Sequence, residues 1–273
     1  MRFAVVVAAL ASAAAAGCAV PADSPSDEVA DAAPPTAHAW GLAECAYVIA
    51  VVPVDPARLA EHLPEGFAPA PSLLRVLPAG PRSSIELDAY HCASGVALDG
   101  AALADVSYGS YYTAVAAPEE LEEDGYDAVF VKWDFLVPDE TRRATLVAGG
   151  LPARGGSSAV AVTAAPAGGV FVEAVLALDD GGGFALRGVA SAPDTQDEPL
   201  PFMEYTPLDR GGLARWHARL HDATFASGEG VVEIAPGWVR DVVGADRAPA
   251  TFIAGDWNLD EADLAFPIEW PPS

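Results

Sequence analysis

The chain has little positive charge: its 273 residues include 14 Lys and Arg against 39 Asp and Glu, for a formal net charge of −25. Lys132 is the only lysine. A surface of this sign repels phosphate backbones, so nucleic acid is excluded as a partner. The sequence also lacks a Gly-x-Ser-x-Gly elbow, a P-loop and a Cys-x-x-Cys pair. The usual signatures of serine hydrolases, phosphate-binding loops and dithiol sites are therefore absent.

Long apolar runs are also scarce. The first follows Arg2 and extends from Phe3 to Ala16, which is shorter than the roughly 20 residues that a membrane-spanning helix needs. A basic start and a short apolar middle are typical of a secretory signal. The run ends in Ala-Ala-Gly-Cys, which resembles the bacterial lipobox. We expect residues 1–17 to be a signal peptide with a lipobox and Cys18 to carry lipid; an ordinary signal peptide cleaved nearby is the alternative.

The segment after the signal changes in composition. Residues 18–39 are rich in Ala, Pro and Asp and contain little apolar mass, which is typical of a flexible linker. We expect an exported lipoprotein whose partner is the membrane, to which the lipid on Cys18 anchors it. Ala19, in place of Asp, resembles the pattern that directs lipoproteins to the outer membrane, so a periplasmic or surface-exposed location is expected if the host is Gram-negative. Residues 40–273 are then expected to form a single β-rich domain.

The chain has only three cysteines. If Cys18 carries lipid, Cys45 and Cys92 remain as one possible pair. Export to an oxidising compartment permits a disulfide between them. Both cysteines lie in segments with strand character, so they can occupy neighbouring positions. Two separate buried thiols are the alternative.

Strand patterns dominate the expected domain. Ile85-Glu86-Leu87-Asp88-Ala89 alternates apolar and polar residues, as a half-buried strand does. Asp179-Asp180-Gly181-Gly182-Gly183 predicts a tight turn between two strands. Further predicted strands cover residues 45–53, 105–116, 128–137, 158–165, 169–178, 184–191, 230–235 and 250–256.

Three helices are expected. Asp55-Pro56 predicts the start of the first, and Asp139 opens the second, which ends at Gly149-Gly150. The third is expected at 207–224, where Leu213, Trp216, Leu220 and Ala223 follow the helical period. Together these elements predict an α+β, β-rich fold: a curved or closed antiparallel β-barrel with a few peripheral helices.

Residues 54–67, which read Val-Asp-Pro-Ala-Arg-Leu-Ala-Glu-His-Leu-Pro-Glu-Gly-Phe, resemble the opening of the acetoacetate decarboxylase-like superfamily. Tyr108-Gly109-Ser110-Tyr111 and Gly150-Leu151-Pro152-Ala153-Arg154 resemble later pieces in the same order. The resemblance covers about residues 45–260. It implies a cone-shaped β-barrel with a small interior pocket.

In decarboxylases of that superfamily, a lysine after a Gly-Phe-Pro-like turn forms a Schiff base with a β-keto acid. The resemblance places Ala153 and Arg154 at that point, and neither residue can attack a carbonyl. We therefore expect the decarboxylase nucleophile to be absent. Lys132 is not expected to replace it. Strand alternation puts Lys132 on the same face as Phe130 and Asp134, where pairing with Asp134 would raise the lysine pKa. A solvated strand face is the favoured interpretation of Lys132.

Two other groups of residues are candidates for metal sites. His217 and His221 lie four apart on the expected third helix, a spacing that can hold zinc, but further ligands are missing. Asp256-x-Asn258-x-Asp260 matches the first ligands of a calcium loop without its later Gly and Glu, so a solvated turn or a helix cap is favoured.

The sequence thus favours a tethered lipoprotein that binds a small, partly apolar ligand without Schiff-base decarboxylation and without a cofactor. The alternative is a divergent enzyme with decarboxylase, hydratase or lactone-type chemistry on a keto or enol substrate. Tyr111, Glu86 and Arg154 are then its candidate catalytic residues. In that case we expect a lyase-type enzyme that does not use a lysine Schiff base.

Overall fold

The computed structural model describes residues 38–71, 83–96, 102–123, 128–165, 168–191, 194–196, 200–268 and 270. Cys18 and the predicted signal peptide lie outside the described residues. No helix in the described part of the chain has the length and apolar character needed to cross a membrane.

Most of the described chain is β-strand. The strands are β1 His38–Pro53, β2 Ala68–Pro69, β3 Ser84–Val96, β4 Ala102–Ala116, β5 Ala128–Trp133, β6 Phe135–Leu136, β7 Ala153–Arg154, β8 Gly156–Ala164, β9 Val170–Leu178, β10 Gly183–Ala190, β11 Asp194–Gln196, β12 Leu200–Pro207, β13 Leu213–His221, β14 Ala223–Ile234 and β15 Arg247–Ile268. The α-helices are α1 Pro56–Ala60, α2 Glu140–Ala148 and α3 Trp238–Val243, and a 3-10 turn covers Glu119–Leu121.

The main sheet is bonded in a ring. Its order β1-β3-β4-β5-β12-β13-β15 returns to β1, because β15 also pairs with β1. The N-terminal part of β15, residues 247–254, pairs with β14. From β14 the sheet continues through β10, β9 and β8. All of these pairs are antiparallel except β12 with β5. The predicted β-rich class with few helices is confirmed, and closure into a barrel stays a prediction.

The first two helices begin as the sequence predicts. The Asp55 carboxylate accepts the backbone N–H of Ala57 at 2.8 Å, and the Asp139 carboxylate accepts that of Arg142 at 2.8 Å. Such N-caps satisfy backbone donors that have no partner in the first helical turn. Helix α2 ends at Ala148 with Gly149 as its C-cap residue, and Gly150 adopts a φ of 88°.

The helix expected at 207–224 is wrong, since this segment forms parts of β12, β13 and β14. In β13, Ala214, Trp216 and Ala218 are buried, whereas the residues between them are less so. This is a period of two. β13 is paired on both sides, by β12 and by β15.

Strand β3 carries a buried face on each side. Ile85, Leu87 and Ala89 belong to the apolar core between β3 and the β9–β10 layer. Glu86 and Asp88, on the other face, are also buried, at 0% and 3% exposure. The strand prediction is confirmed, but the polar face is directed into the protein.

Gly109 shows why a small residue is required opposite β3. A Cβ at this position would lie 2.7 Å from the backbone oxygen of Asp88 and 2.8 Å from a methyl group of Leu176. The backbone of β4 therefore packs directly against β3 and β9. This close approach positions the neighbouring residues Tyr108 and Ser110.

Candidate functional site

Lys132 lies inside the protein, not on a solvated strand face, so that prediction is wrong. The residue is 3% exposed, and its amine donates a hydrogen bond to the Glu204 carboxylate. The amine also lies 4.6 Å from the centre of the Trp216 ring. Strand β5 supplies the lysine and β12 supplies the glutamate, two neighbouring strands of the ring. The cation is therefore balanced by a carboxylate and by an aromatic face.

Asp134 does not pair with Lys132, and the predicted pairing is also wrong. Strand β5 ends at Trp133, and Asp134 has a φ of 27°, which turns its side chain away from the strand alternation. Its carboxylate accepts hydrogen bonds from Arg154 at 2.7 Å and from the Trp238 indole N–H at 2.9 Å.

A second carboxylate, Asp88, lies close to this ion pair. Its side chain accepts hydrogen bonds from the Tyr90 hydroxyl at 2.6 Å and the Ser110 hydroxyl at 3.0 Å. The backbone N–H of Ser110 donates to it as well. Burial raises the pKa of Asp88 from 3.8 to about 7, although the hydrogen bonds and Lys132 act in the opposite direction. Near neutral pH this carboxyl therefore exists in both protonation states.

The electrostatics of Lys132 oppose nucleophilic chemistry. Burial alone would lower the pKa of the amine, but Glu204 and the hydrogen-bonded Tyr108 hydroxyl outweigh it and raise the pKa above its ordinary value. A Schiff-base lysine needs the neutral amine. At neutral pH Lys132 is an ammonium ion.

The space around these groups is small. We call it the inner chamber; it is lined by polar and aromatic side chains, among them Asp88, Tyr90, Tyr108, Lys132, Glu204 and Trp216. Its volume is about 30 Å³. A water molecule needs about 10–15 Å³ of such space, so the inner chamber has room for about two or three waters and is too small for an organic substrate.

A larger cavity lies on the other side of Tyr108 and Trp216. We call it the side pocket; it has a volume of about 380 Å³ and is lined by residues 103–108 of β4, residues 135–139, the α2 side chains of Arg142, Thr145 and Leu146, and Trp216. Its volume falls within the range of about 300–1,000 Å³ that small-molecule sites occupy. Because Tyr108 and Trp216 line both spaces, they separate the side pocket from the inner chamber.

The three candidate catalytic residues are not brought together around either cavity. Arg154 is partly exposed and binds Asp134. Asp134 lines a third cavity, which has a volume of about 210 Å³. Tyr111 also lines that cavity, and burial, followed by Asp134 and Asp180, raises its pKa. Glu86 is fully buried and pairs across the sheet with Tyr112.

Ala153, which the resemblance places at the decarboxylase lysine, is buried in β7 beside Phe135 of β6. Its methyl group belongs to the apolar core that also includes Leu151 and Trp216.

The residues proposed for metal sites have other partners. His217 contacts Glu123 at 3.2 Å, and His221 contacts Asp222 at 2.9 Å. Both lie on β13, so the expected helical spacing is wrong. Within the described ranges, no group of three or more His, Cys, Asp or Glu side chains is arranged to hold a metal ion.

The Asp256-x-Asn258-x-Asp260 segment is part of β15, so the expected turn or helix cap is wrong. The Asn258 side chain accepts the backbone N–H of Glu44 at 2.8 Å and donates to Asp222 at 3.4 Å. Asp256 is exposed, and the Asp260 side chain lies outside the described residues.

The predicted disulfide between Cys45 and Cys92 is confirmed, with an S–S distance of 2.11 Å. It joins β1 to β3 at positions that are paired across the sheet. The bridge therefore ties the strand that carries Asp88 and Tyr90 to its neighbour in the ring.

Comparison with solved structures identifies the fold. The chain is similar to an acetoacetate decarboxylase-like enzyme from Sphingomonas wittichii RW1, with a TM-score of 0.55 and 14% identity over 85% of this chain and 91% of that chain. It is also similar to the enduracididine biosynthesis enzyme MppR in complex with pyruvate, with a TM-score of 0.50 and 16% identity over 88% of this chain and 94% of that chain. No family model and no curated protein matches the sequence. The fold is that of acetoacetate decarboxylase-like proteins.

Proposed function

We propose that this chain, which has the acetoacetate decarboxylase-like fold, binds a small, partly apolar ligand in the side pocket and forms no Schiff base with it. One observation carries the proposal. The buried amine, Lys132, is paired with Glu204 in a chamber of about 30 Å³, while a cavity large enough for a ligand lies beyond Tyr108 and Trp216. In this proposal the superfamily's reactive lysine is replaced by Ala153.

The chemistry of the side pocket supports this choice. Its lining is mainly apolar, with the aromatic rings of Tyr108, Phe135 and Trp216 at the buried end. Burial of apolar ligand surface against such walls contributes about 25 cal/mol per Å² before the costs of association. The pocket's polar groups lie at its exposed end, where they orient a ligand.

The proposal is tested by incubating the purified chain with a mixture of small acids, ketones, alcohols and amides, followed by gel filtration and mass spectrometry of what stays bound. Ala104 is an exposed residue of the pocket lining, so Ala104→Trp is expected to fill the cavity and reduce retention at least about tenfold.

Ala161→Trp is the matched control, because Ala161 is an exposed strand residue that does not line the side pocket. It is expected to leave retention unchanged. The absence of any retained compound would contradict the proposal, and so would the release of a converted product.

The second candidate is a divergent enzyme that acts on a small keto or enol substrate. It is favoured by the fold neighbours, which are described as enzymes. Conversion of β-keto acids or enol lactones by the purified chain, lost in Arg154→Gln, would support it.

We further propose that the domain is exported and tethered to a membrane by lipid on Cys18, which in a Gram-negative host places it at the outer membrane. The short apolar run of residues 3–16 and the Ala-Ala-Gly-Cys sequence after Ala14 support this proposal. Incorporation of labelled palmitate that Cys18→Ala abolishes is the expected result. Unchanged labelling of the variant would rule out this anchor.

A further inference from the structure

The side pocket has two chemically different ends. Tyr108, Phe135 and Trp216 form the buried end and are each less than 10% exposed. Arg142 and Thr145 of α2 lie at the other end, which is more exposed. A ligand that fills the cavity therefore meets aromatic rings at one end and a guanidinium group with solvent at the other.

The buried end offers ring faces and not free hydrogen-bonding groups. The Trp216 indole N–H donates to the Thr206 hydroxyl at 2.9 Å. The Tyr108 hydroxyl is hydrogen-bonded to the Lys132 amine, on the chamber side. Because the polar atoms of both rings are already used, a polar ligand group placed at this end would lose its hydration without replacement.

The exposed end contains a cation that the described part of the chain does not neutralise. The backbone N–H of Arg142 donates to Asp139, and its guanidinium group has no ion-pair partner among the described residues. Arg142 lies in the first turn of α2, where the helix dipole also favours an anion. A carboxylate bound here forms charge-assisted hydrogen bonds.

Two carboxylates also line this end of the pocket, and each has a partner. Asp105 contacts the His91 ring at 3.0 Å, and its side chain is 84% exposed, so solvent screens its charge. Asp139 is the N-cap of α2. Neither carboxylate lies within ion-pairing distance of Arg142, so among the described residues neither of them neutralises the guanidinium group.

We infer that the side pocket takes a small monocarboxylate with an apolar chain, its carboxylate bound by Arg142 and its chain lying against Tyr108, Phe135 and Trp216. This inference rests on the proposed function and specifies its ligand class. The orientation places the charged end of the ligand at the exposed end of the pocket. The end that approaches Lys132 is a hydrocarbon chain, behind a wall of aromatic rings, where no carbonyl is presented to the amine.

The experiment compares octanoate with 1-octanol by titration calorimetry on the full-length chain. The two probes share an apolar chain and differ in the charged group. Octanoate is expected to bind at least about tenfold more tightly than octanol at low salt, since a hydrogen bond between two charged groups is stronger than one to a neutral hydroxyl. Raising the salt concentration is expected to weaken the binding of octanoate and to leave the binding of octanol unchanged.

Variants locate the charge that is responsible. Arg142→Gln is expected to weaken octanoate binding about tenfold without affecting octanol binding. Arg142→Lys is expected to retain part of the preference for octanoate over octanol. Arg187→Gln is the matched control, because Arg187 is an exposed arginine of β10 that pairs with Glu173 and does not line the side pocket. It is expected to bind both probes as the wild type does.

The outcomes separate this inference from the proposed function. Equal binding of octanoate and octanol by the wild-type chain would overturn the inference and leave small-ligand binding in the side pocket intact. Tight octanoate binding that Arg142→Gln does not change would also overturn it. If neither probe binds, and no other small compound is retained, both the inference and the proposed function fail.

Discussion

The inner chamber and the side pocket share Tyr108 and Trp216 as walls, yet they differ in almost every other respect. The inner chamber is small, and its acid, amine and hydroxyl groups already bind one another. The side pocket is more than ten times larger and largely apolar, and the guanidinium group of Arg142 has no ion-pair partner among the described residues. The comparison teaches that ionisable groups inside an enzyme-like fold do not by themselves indicate a reaction. Room for a substrate and a free reactive group are needed as well.

The strongest way to break this comparison is to remove one charge from the inner chamber. Glu204→Ala leaves Lys132 buried without its carboxylate, and loss of one partner of a buried ion pair costs about 3–5 kcal/mol. We expect that decrease in the free energy of unfolding, measured by denaturant titration. Glu229→Ala, at an exposed position of β14, is the matched control and is expected to change stability by less than about 0.5 kcal/mol.

The double variant Lys132→Met with Glu204→Leu sharpens the same test. Replacement of a whole buried pair by apolar side chains is often neutral or stabilising, so it is expected to recover much of the loss. If Glu204→Ala lowered the free energy of unfolding by less than about 1 kcal/mol, another group would stabilise the Lys132 ammonium ion. The account of the inner chamber would then be wrong.

The disulfide tests how far the inner chamber depends on the β1–β3 connection. Cys45→Ala with Cys92→Ala opens a loop with a sequence separation of 47 residues. The chain-entropy model gives about 4 kcal/mol as an upper value for such a loop, and we expect a loss of about 2–4 kcal/mol in urea unfolding. Wild-type chain treated with a reducing agent should lose the same amount. An unchanged midpoint would show that the pairing of β1 and β3 holds this region without the covalent bond.

Asp88 gives the inner chamber a pH dependence. Its pKa is raised from 3.8 to about 7 in the folded protein, so the folded state binds a proton more tightly than the unfolded state does. This contribution to stability is complete below about pH 4 and is lost as the pH rises towards 7. Between these two pKa values the free energy of unfolding falls by up to about 1.4 kcal/mol per pH unit for one such group.

Asp88→Asn removes that titration. We therefore expect the free energy of unfolding of the variant to fall less steeply than that of the wild type between pH 4.5 and 7, measured in urea at constant ionic strength. Asp256→Asn, at an exposed position of β15, is expected to keep the wild-type slope. Identical slopes for the wild type and Asp88→Asn would mean that folding does not raise the pKa of the Asp88 carboxyl.

Local patterns predicted much of the fold because they depend on neighbouring residues. Asp55-Pro56 and Asp139 mark helix starts through contacts only two or three residues away. The 207–224 segment was misassigned for the same reason. Leu213, Trp216 and Leu220 fit a helical stripe, and Ala, Arg and Leu favour helices. Yet alternate residues from Ala214 also fit a strand, and pairing with strands on both sides decided between the two patterns.

The site was less predictable because its parts are distant in sequence. Lys132 and Glu204 are 72 residues apart, and no spacing rule connects them. Alternation correctly placed Lys132 on the side of Phe130 but could not show that this side is the interior. The alternation of Glu86 and Asp88 with apolar residues in β3 was the sequence signal that polar groups share one side of this strand. The sequence did not show that this side, like the apolar one, is buried. Arg142 is a surface helix residue by sequence, and only the packing of α2 beside β4 places it at the side pocket.

The most direct test of the account is whether Lys132 can form an imine. The purified chain is incubated with pyruvate or acetoacetate and treated with borohydride, which reduces any imine to a stable amine that mass spectrometry detects. Because Glu204 keeps Lys132 protonated and the inner chamber holds at most a few waters, we expect the intact mass to remain unchanged. A reduced adduct mapped to Lys132 would contradict the account and identify the chain as a Schiff-base enzyme.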